Sequence, residues 1–454
     1  MTSIHPTDTP APRRRWSRRR RLLTTIAASL VLVLAGGAVA VALTVKNFTD
    51  GIVRSDFTLP LVEEPEADTS EQNILIMGMD SRVDQNGEPL PDYVYEALHA
   101  GNADDGGYNA NVLMLLHIPE DRSQTTVTSI PRDDYAEIVG APLGVTHSKI
   151  KEAYGLAMQE RFTEIAYSDE EYTEAEAYQE ARSAGRQAQI ETVSHFLGDV
   201  RIDHFVEMTM GGFFYVAEAV APVTVCLNQA TEDSYSGAQF AAGVQELDAQ
   251  QAMSFVRQRR DTGFDGPFLT DLDRSRRQQA FLASLATNLQ QRSTLTNPKT
   301  VLALADVTQH HVALDSNFDV LGFVRTALEV SKSGARFVTL PILDFEMIDG
   351  ASVNTVDLDE VQGIVAAIFD GNYFTDPGAD GGAGDAGDTG GTGDPSADGA
   401  EQPAGDADAA APESDEANAV PAGRPGESGV AGEPLAVYDS WDQPILAGSL
   451  PCVN

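Results

Sequence analysis

The feature that most restricts how this chain can fold is an uncharged apolar run, Leu22–Val45. It is about 24 residues long, which corresponds to roughly 36 Å of helix against a hydrocarbon core of about 30 Å. The preceding segment, Arg13–Arg21, is mostly arginine, and such segments stay on the cytoplasmic side of a membrane. We therefore expect residues 1–21 to be a basic cytoplasmic tail, residues 22–45 a transmembrane helix, and everything after them extracellular.

A cleaved signal peptide is the alternative interpretation of the same run. The apolar part of a signal peptide is usually about 7–15 residues, which is shorter than Leu22–Val45. Small residues such as Ala38 and Ala40 nevertheless leave cleavage open. Both interpretations place the remaining chain outside the cytoplasm. With a transmembrane helix, the chain would also stay held to the cell membrane by a single span.

Composition divides the exported part. The chain has a net charge of -39, with 30 Lys and Arg against 69 Asp and Glu. Residues 373–434 are rich in Gly, Ala, Asp, Pro and Glu and cannot bury enough apolar surface to offset the entropy of ordering, so they are expected to form a disordered acidic linker. Residues 435–454 regain apolar side chains, including Trp441 and Ile445, and are expected to dock on the body. Residues 46–70 are expected to form an extracellular stem.

The two cysteines are Cys226, in the body, and Cys452, near the end of the chain. An oxidising compartment outside the cell allows them to form a disulfide. We expect a Cys226–Cys452 bond, which would hold residues 435–454 on the body. The alternative is a pair of free thiols.

Strands and helices alternate between residues 71 and 372. Three apolar runs at residues 73–79, 111–118 and 125–130 lack clean polar alternation, which is typical of strands covered on both faces. The pattern predicts a layered α-β-α sandwich with a central mixed sheet. Further strands are predicted at residues 205–208, 223–227 and 336–343, and helices at residues 149–160, 171–197, 211–220, 249–260, 271–290, 300–307, 318–330 and 358–369.

Six arginines lie within Phe255–Gln279, an unusual density in so acidic a chain: Arg257, Arg259, Arg260, Arg274, Arg276 and Arg277. The planar guanidinium group donates paired hydrogen bonds to phosphate and keeps its charge. On a helix that begins near Asp271, residues 274, 277 and 278 share a face. Two helices joined by a loop would aim Arg257, Arg274 and Gln278 at one point. The alternative is a solvated face whose arginines pair with nearby aspartates.

Polar residues also follow the predicted strands. Asp80 and Arg82 follow the first strand, Asn111 begins the second, and Arg132 and Asp133 follow the third. Ligands of α/β sheets bind beyond the carboxyl ends of strands, and a carboxylate oxygen suits Mg²⁺. A metal-binding carboxylate with several arginines is the equipment for phosphoryl transfer. The alternative is that the aspartates only cap turns.

Other chemistry finds no support in the sequence. It contains no GxSxG, HExxH, P-loop or zinc-type cysteine pattern. Nucleic acid is an unfavourable partner for a chain with a net charge of -39.

Five segments resemble the LytR-CpsA-Psr family of bacterial cell-envelope proteins. They are NILIMGMDSR (73–82), VTSIPRDDY (127–135), HSKIKEAYG (147–155), QAMSFVRQRRD (251–261) and DLDRSRRQQAF (271–281), in the order of the family. Within the family, residues 84–101 and 106–119 and the closing PCVN look most like the CpsA-type branch of actinobacteria.

The resemblance implies a membrane-anchored phosphotransferase. Such a protein moves a glycan phosphate from a polyprenyl-pyrophosphate carrier to a hydroxyl of peptidoglycan, with Mg²⁺ or Mn²⁺. By resemblance, the catalytic residues are Arg132, Asp133, Arg257, Arg274 and Gln278, the substrate-binding residues are Arg82, Lys149, Arg259 and Arg277, and the metal ligands are Asp80 and Asn111. Asp133 or Asp80 would accept the proton of the attacking hydroxyl, and an apolar groove for the lipid would draw on Leu113, Leu115, Phe205, Phe213, Phe214 and Phe255.

One position departs from the family pattern. Asn111 stands where the family carries a second metal-binding aspartate. An amide oxygen ligates Mg²⁺ without adding charge, so metal affinity is expected to fall. A non-catalytic protein that binds polyprenyl phosphate is therefore an alternative. A transcriptional attenuator is a further one, although the short cytoplasmic tail shows no DNA-binding element.

Overall fold

The computed structural model describes residues 51–60, 62, 70–263, 266–291, 298–374, 435–438, 443–446 and 450–454. The predicted cytoplasmic tail, transmembrane helix and most of the acidic linker lie outside these ranges. Within them, none of the helices combines the length and apolar character needed to cross a membrane. The described residues from Val53 onward belong to one compact unit, which contains all the elements below.

Helices and strands alternate through most of this unit. The helices are α1 (Asp92–Leu98), α2 (Ala153–Tyr167), α3 (Glu174–Phe196), α4 (Met210–Val220), α5 (Ala249–Arg257), α6 (Asp271–Gln291), α7 (Pro298–His311), α8 (Val320–Ser333) and α9 (Leu358–Phe369). The strands are β1 (Val53–Ser55), β2 (Gln72–Met79), β3 (Ala110–Ile118), β4 (Thr126–Ser129), β5 (Tyr135–Glu137), β6 (His147–Lys149), β7 (His204–Met208), β8 (Val223–Leu227), β9 (Thr231–Asp233), β10 (Ala238–Phe240), β11 (Gly243–Leu247), β12 (Val312–Asp315), β13 (Arg336–Thr339), β14 (Asp344–Ile348), β15 (Ala351–Thr355), β16 (Leu435–Val437), β17 (Ile445–Leu446) and β18 (Leu450–Val453).

The central sheet is mixed. Its eight described strands lie in the order β1-β12-β7-β2-β3-β4-β13-β17. The pairs β1/β12, β7/β2 and β4/β13 are parallel, and the other neighbours are antiparallel. The three predicted apolar strands are β2, β3 and β4, near the middle of the sheet, where a strand has partners on both sides.

Helices cover both faces of this sheet. Successive side chains of a strand point to opposite faces, and β3 shows this clearly. Leu113 and Leu115 pack in one apolar core with residues of α2, α3 and α9, whereas Met114 packs in a second core with residues of α4, α5 and α6. The predicted layered α-β-α sandwich around a central mixed sheet is therefore confirmed.

The end of the chain joins a second sheet, of order β11-β8-β18-β16. Strand β18 runs parallel to β8, with Cys452 paired in register with Cys226. These two residues form a disulfide, as predicted, in place of two free thiols. The backbone N–H of Asn228 donates to the carbonyl of Val453 at 2.8 Å. The described part of residues 435–454 is thus held on the body by strand pairing and by a covalent bond.

Several predictions placed element boundaries wrongly. The helix predicted over residues 149–160 begins at Ala153, because residues 147–149 pair with β5 to form a hairpin. The strand predicted over residues 336–343 ends at Thr339. The hairpins β9/β10 and β14/β15 were not predicted, because strands of three to five residues with little alternation give no clear period.

The hairpin β14/β15 is fastened to the loop that follows β4 through Asp134 and Asn354. The amide of Asn354 donates to Asp134 Oδ1 at 2.9 Å, and the backbone N–H of Asn354 donates to the Asp133 carbonyl at 2.9 Å. Asp134 is fully buried, and its Oδ2 makes no hydrogen bond with any described residue. Burial raises the pKa of Asp134 well above its usual range, and the neighbouring carboxylates of Asp133 and Asp271 add to this rise.

The contact between α2 and α3 gives a test of the packing. A Cβ atom at Gly185 of α3 would lie 2.6 Å from the ring of Tyr154, which is fully buried. We expect Gly185→Ala to lower stability by about 1–3 kcal/mol, because the ring cannot move aside in a filled core. Thermal unfolding followed by circular dichroism would measure the loss.

The matched control is Gly363→Ala in α9, where a Cβ atom would meet no atom within 4 Å. This change is expected to be neutral or to stabilise by about 0.4–1 kcal/mol. Equal melting temperatures for both variants would contradict the described packing of α2 on α3.

Asp134 gives a test of the pH dependence. An aspartate of the unfolded chain ionises near pH 4, whereas burial keeps Asp134 protonated to higher pH in the folded protein. Its contribution to stability is therefore complete below about pH 4 and is lost as the pH rises towards the folded-state pKa. We expect Asp134→Asn to melt at a higher temperature than wild type, by a margin that grows between about pH 4 and pH 8.

The exposed Asp169 provides the control. Asp169→Asn should show no such growing margin when its thermal unfolding is followed over the same pH range. A difference between Asp134→Asn and wild type that stays constant with pH would contradict the account.

Candidate active site

A cavity of about 530 Å³ opens between the central sheet and the helices α4, α5 and α6. Its lining divides chemically into two parts. The apolar part includes Ile76, Met114, Val206, Phe213, Val216, Met253, Leu282 and Leu285. The polar part consists of Asp80, Arg82, Asn109, Asn111, Arg132, Lys151, Thr209, Asp233, Tyr235, Ser236, Arg257, Arg259, Arg260, Arg274 and Gln278. The cavity can thus accept a ligand that has an apolar portion and a strongly anionic one.

Asp271 holds two arginines of the polar part together. Its Oδ1 accepts from Arg132 Nη2 at 3.0 Å, and its Oδ2 accepts from Arg274 Nη2 at 2.8 Å. Arg132 follows β4 and Arg274 lies in the first turn of α6, so one carboxylate joins the sheet to the helix. Both arginines are buried, at 7% and 6% exposure. The cavity lining carries more Lys and Arg than Asp side chains, so net positive charge faces the cavity.

Arg274 keeps hydrogen-bonding capacity for a ligand. Its Nε is buried and makes no hydrogen bond with any residue in the described part of the chain. Burial lowers the pKa of Arg274 to about 10, while Asp271 opposes the fall. The guanidinium therefore stays charged at neutral pH. A buried, charged and partly unpaired arginine favours an anion as its partner.

Arg257 is the last residue of α5 and lies close to Gln278 of α6. Its Nη1 donates to the carbonyl of Leu98, and Gln278 Nε2 donates to the carbonyl of Val256 at 3.1 Å. Burial lowers the pKa of Arg257, and the charge of Asp80 opposes this. Arg257, Arg274 and Gln278, which the sequence analysis placed at one point, all line this cavity.

Asp133 lies behind this cavity in a cluster of cations. Its Oδ1 is 2.7 Å from Lys151 Nζ and 3.4 Å from Lys149 Nζ, and its Oδ2 is 3.6 Å from Arg132 Nε. Burial alone would raise the pKa of Asp133, but Arg132, Lys151 and Lys149 together lower it to about 2. Asp133 is therefore a weak proton acceptor, and its geometry suits the positioning of Arg132 and Lys151.

Asp80 follows β2, and Asn111 lies in β3 where the register between the two paired strands shifts. The backbone N–H of Asp80 donates to the carbonyl of Asn109 at 2.9 Å, and Gly107 donates to the carbonyl of Asp80 at 3.1 Å. Asn111 Oδ1 is buried and has no hydrogen-bond partner among the described residues. The two side chains present one carboxylate and one unpaired amide oxygen to the same cavity. This donor set fits Mg²⁺, which keeps several waters and takes few protein ligands.

No cluster of three or more His, Cys, Asp or Glu side chains suited to a metal was found in the described residues. A metal at Asp80 and Asn111 would therefore depend on water and on phosphate oxygens for its remaining ligands.

Most of the predicted site residues line one cavity. Lys149 and Asp133 lie just behind it, joined by their ion pair. Arg277 lies elsewhere: it is fully buried, its Nη1 donates to Gln258 Oε1 at 2.6 Å, and its Nε donates to the carbonyl of Asn454 at 2.7 Å. Residues 274 and 278, four apart on α6, face the cavity, whereas residue 277 faces the second sheet. The predicted residues on the lining are Asp80, Arg82, Asn111, Arg132, Arg257, Arg259, Arg274 and Gln278.

Most of the residues predicted to line the lipid groove lie outside the cavity lining. Of the six candidates, Phe213 lines the cavity. Leu113, Leu115 and Phe205 pack in the core on the opposite face of the sheet, because they occupy the other set of alternating strand positions. Phe214 and Phe255 belong to the core beside the cavity.

Other lining residues were missed by the sequence prediction. Lys151 lies in the same motif as Lys149, and its backbone N–H donates to the Arg132 carbonyl at 3.2 Å. The motif therefore indicated a lysine near the site, but it did not show which of its two lysines lines the cavity. Asp233, Tyr235 and Ser236 lie at the tip of the β9/β10 hairpin, which no sequence pattern indicated.

Proteins similar to this chain include a cell wall biosynthesis protein and a teichoic acid transferase. The cell wall biosynthesis protein LcpA of Corynebacterium glutamicum is 34% identical over 339 residues, which cover 73% of this chain and 62% of LcpA. A polyisoprenyl-teichoic acid–peptidoglycan teichoic acid transferase, TagU of Halalkalibacterium halodurans, is 26% identical over 272 residues, which cover 58% of this chain and 70% of TagU. The chain thus spans about three fifths of the length of LcpA.

Among solved structures, a LytR-Csp2A-Psr enzyme from Actinomyces oris is similar with a TM-score of 0.45 and 17% identity, over 70% of this chain and 95% of that one. The model of the LytR_cpsA_psr family matches residues 43–368, which confirms the family resemblance carried by the five sequence motifs. Because this match covers most of the sequence, the chain belongs to the LytR_cpsA_psr family.

Proposed function

We propose that this protein is a phosphotransferase that moves a glycan phosphate from a polyprenyl-pyrophosphate carrier to a hydroxyl group of peptidoglycan. The observation that carries the proposal is the divided lining of the cavity, with apolar side chains in one part and buried, partly unpaired arginines in the other. A polyprenyl pyrophosphate has the same two parts. The relatives LcpA, a cell wall biosynthesis protein, and TagU, a teichoic acid transferase, support the same activity.

The arginines would bind the pyrophosphate and stabilise the charge that develops on it. Arg132, Arg257 and Arg274 all line the cavity, and Gln278 adds an amide beside them. In phosphoryl transfer most of the catalysis comes from positioning and charge neutralisation. Since Asp271 already fixes Arg132 and Arg274, these groups need little reorganisation when the substrate arrives. Phe213, Leu282 and other apolar residues would hold the isoprenoid.

The reaction exchanges one phosphorus–oxygen bond for another. The acceptor hydroxyl oxygen attacks the phosphorus that carries the glycan, the bond to the bridging oxygen breaks, and polyprenyl phosphate leaves. The hydroxyl proton goes to a base, and the Asp80 carboxylate, which lines the cavity, would accept it on the oxygen that does not hold the metal. Asp133 does not suit this role, because its pKa is about 2 and three cations surround it.

Mg²⁺ or Mn²⁺ would be held by the Asp80 carboxylate and the Asn111 amide oxygen. When bound, such an ion supplies positive charge that neutralises phosphate oxygens. The unpaired Asn111 Oδ1 supports this assignment.

Residues 22–45 would anchor the protein in the cell membrane, with the N-terminus in the cytoplasm and the catalytic unit outside. The uncharged apolar run and the arginines before it support this topology.

A non-catalytic binding protein is the second candidate, and one observation favours it. Asn111 is neutral, so the pair with Asp80 carries one negative charge fewer than two aspartates would. A weaker metal site would still leave the arginines able to retain a polyprenyl phosphate.

Removing either arginine tests the enzyme proposal. We expect Arg257→Ala and Arg274→Ala each to reduce glycan transfer by at least about tenfold, or about 1.4 kcal/mol of activation free energy, because each removes a cation that contacts the pyrophosphate. Transfer to peptidoglycan would be measured with the purified full-length chain, and melting temperatures would show that the variants fold.

Arg161→Ala is the matched control, since Arg161 pairs with Glu164 and Glu180 at the surface of α2. It should transfer at the wild-type rate. Transfer at the wild-type rate by both Arg257→Ala and Arg274→Ala would contradict the proposed role of these arginines in a phosphotransferase.

Asn111→Asp separates the two candidates. The aspartate adds a negative charge to the metal site, so we expect the variant to need less Mg²⁺ for half-maximal transfer than wild type does. Transfer rate would be measured against Mg²⁺ concentration for both proteins. Activity in the variant alone, with none in wild type at any Mg²⁺ concentration, would show that the natural protein is a binder.

A further inference from the structure

The tip of the β9/β10 hairpin reaches the polar part of the cavity, and the transfer chemistry does not use it. Tyr235 lines the cavity, yet 66% of its surface is exposed. One face of its ring carries the guanidinium of Arg260, which lies 4.2 Å from the ring centroid. Because the ring stays this exposed with Arg260 upon it, much of its remaining surface is open to solvent at the cavity mouth.

The hairpin tip is held rigidly. Asp233, which is 2% exposed, accepts from the Tyr235 backbone N–H at 3.0 Å and from Ser236 Oγ at 2.9 Å. Gly237 has a φ of +71°, and a Cβ atom there would lie 2.9 Å from the ring of His99. Glycine is therefore required where the turn presses against α1, and Tyr235 is fixed by its neighbours on both sides.

The same tip is joined to the segment that carries the arginines. Thr262 donates its backbone N–H to the Glu232 carbonyl at 2.7 Å, and Glu232 donates its own to Asp261 Oδ2 at 2.8 Å. Ser234 donates to Thr262 Oγ1 at 3.2 Å. Tyr235 and Arg260 therefore keep a fixed position relative to Arg257, which lies three residues before Arg260 in the chain.

We propose that the open face of Tyr235, supported from behind by Arg260, forms the subsite for the first sugar ring of the donor, a pyranose joined directly to the pyrophosphate. This inference rests on the proposed function. It deepens that function by naming the residues that distinguish a glycan-bearing carrier from a bare one.

The chemistry of the open Tyr235 face fits a pyranose. One face of such a ring presents C–H groups of weak positive charge, which pack on the electron-rich face of an aromatic ring. The guanidinium of Arg260 covers the other face of Tyr235, so its role is to hold the ring in place while the open face stays available for the sugar. A sugar attached to the pyrophosphate must lie next to the arginines that bind it, and Tyr235 is the exposed aromatic residue of the described cavity lining there. A ring already fixed in place loses little entropy on binding.

Binding measurements with two lipids test the subsite. The full-length chain in detergent micelles would be titrated with a polyprenyl pyrophosphate that carries one N-acetylhexosamine and with the same lipid without a sugar. We expect Tyr235→Ala to weaken binding of the sugar-bearing lipid by at least about tenfold, equivalent to about 1.4 kcal/mol, and to leave the bare lipid within about twofold. Tyr235→Phe keeps the ring and should bind both lipids almost as wild type does.

The matched control is Tyr167→Ala. Tyr167 is 88% exposed and ends α2, which packs on the opposite face of the sheet. It should leave both affinities unchanged. An equal loss for both lipids in Tyr235→Ala, or a loss for neither, would overturn the subsite.

The subsite and the proposed function fail in different ways. Sugar-selective binding that depends on Tyr235, in a wild-type protein that transfers no glycan, would remove the enzyme and keep the subsite. Transfer that proceeds at the wild-type rate and affinity in Tyr235→Ala would keep the enzyme and remove the subsite.

Discussion

The site depends on the two ion pairs made by Asp271. This carboxylate joins Arg132, after the central strand β4, to Arg274, at the start of α6. Without a shared anion, two buried guanidinium groups so close together would repel each other and would be costly to desolvate. With it, their repulsion is offset, and the partly unpaired Arg274 lines the cavity. Asp271 thus neutralises only part of the positive charge of these arginines, and the remaining charge can bind an anion.

The rest of the fold places this cationic group beside an apolar space. The central sheet and the helices α4, α5 and α6 enclose a cavity of about 530 Å³. Side chains of the core that stabilises the domain form part of its walls. Strand alternation decides which residues take part: Met114 faces the cavity side, whereas Leu113 and Leu115 face the other core. A lipid-linked anion is the ligand class that uses both parts of such a cavity.

Sequence patterns predicted the layered sheet and identified residues that line the cavity, because these depend on local signals: long apolar runs, an arginine cluster with helical spacing, and motifs that resemble a family. The disulfide was predicted from the oxidising compartment. Sequence patterns failed where side-chain direction depends on tertiary context. Arg277 lies on the same helix as Arg274 and has the same charge. Its N–H groups, however, donate hydrogen bonds to Gln258 and to the carbonyl of Asn454. Lys151 lines the cavity while Lys149 lies behind it, because residues 147–149 pair with β5 and shift the start of the helix. The hairpin that carries Tyr235 has strands of three residues, too short for a period to be detected.

The most direct test of the account is an assay of the purified full-length wild-type protein with a polyprenyl-pyrophosphate sugar and peptidoglycan, with and without Mg²⁺. The account predicts metal-dependent formation of a glycan–peptidoglycan phosphodiester together with one polyprenyl phosphate for each bond formed. Tight binding of the lipid without either product, at every Mg²⁺ concentration, would contradict it and leave the protein as a binder of lipid-linked phosphate.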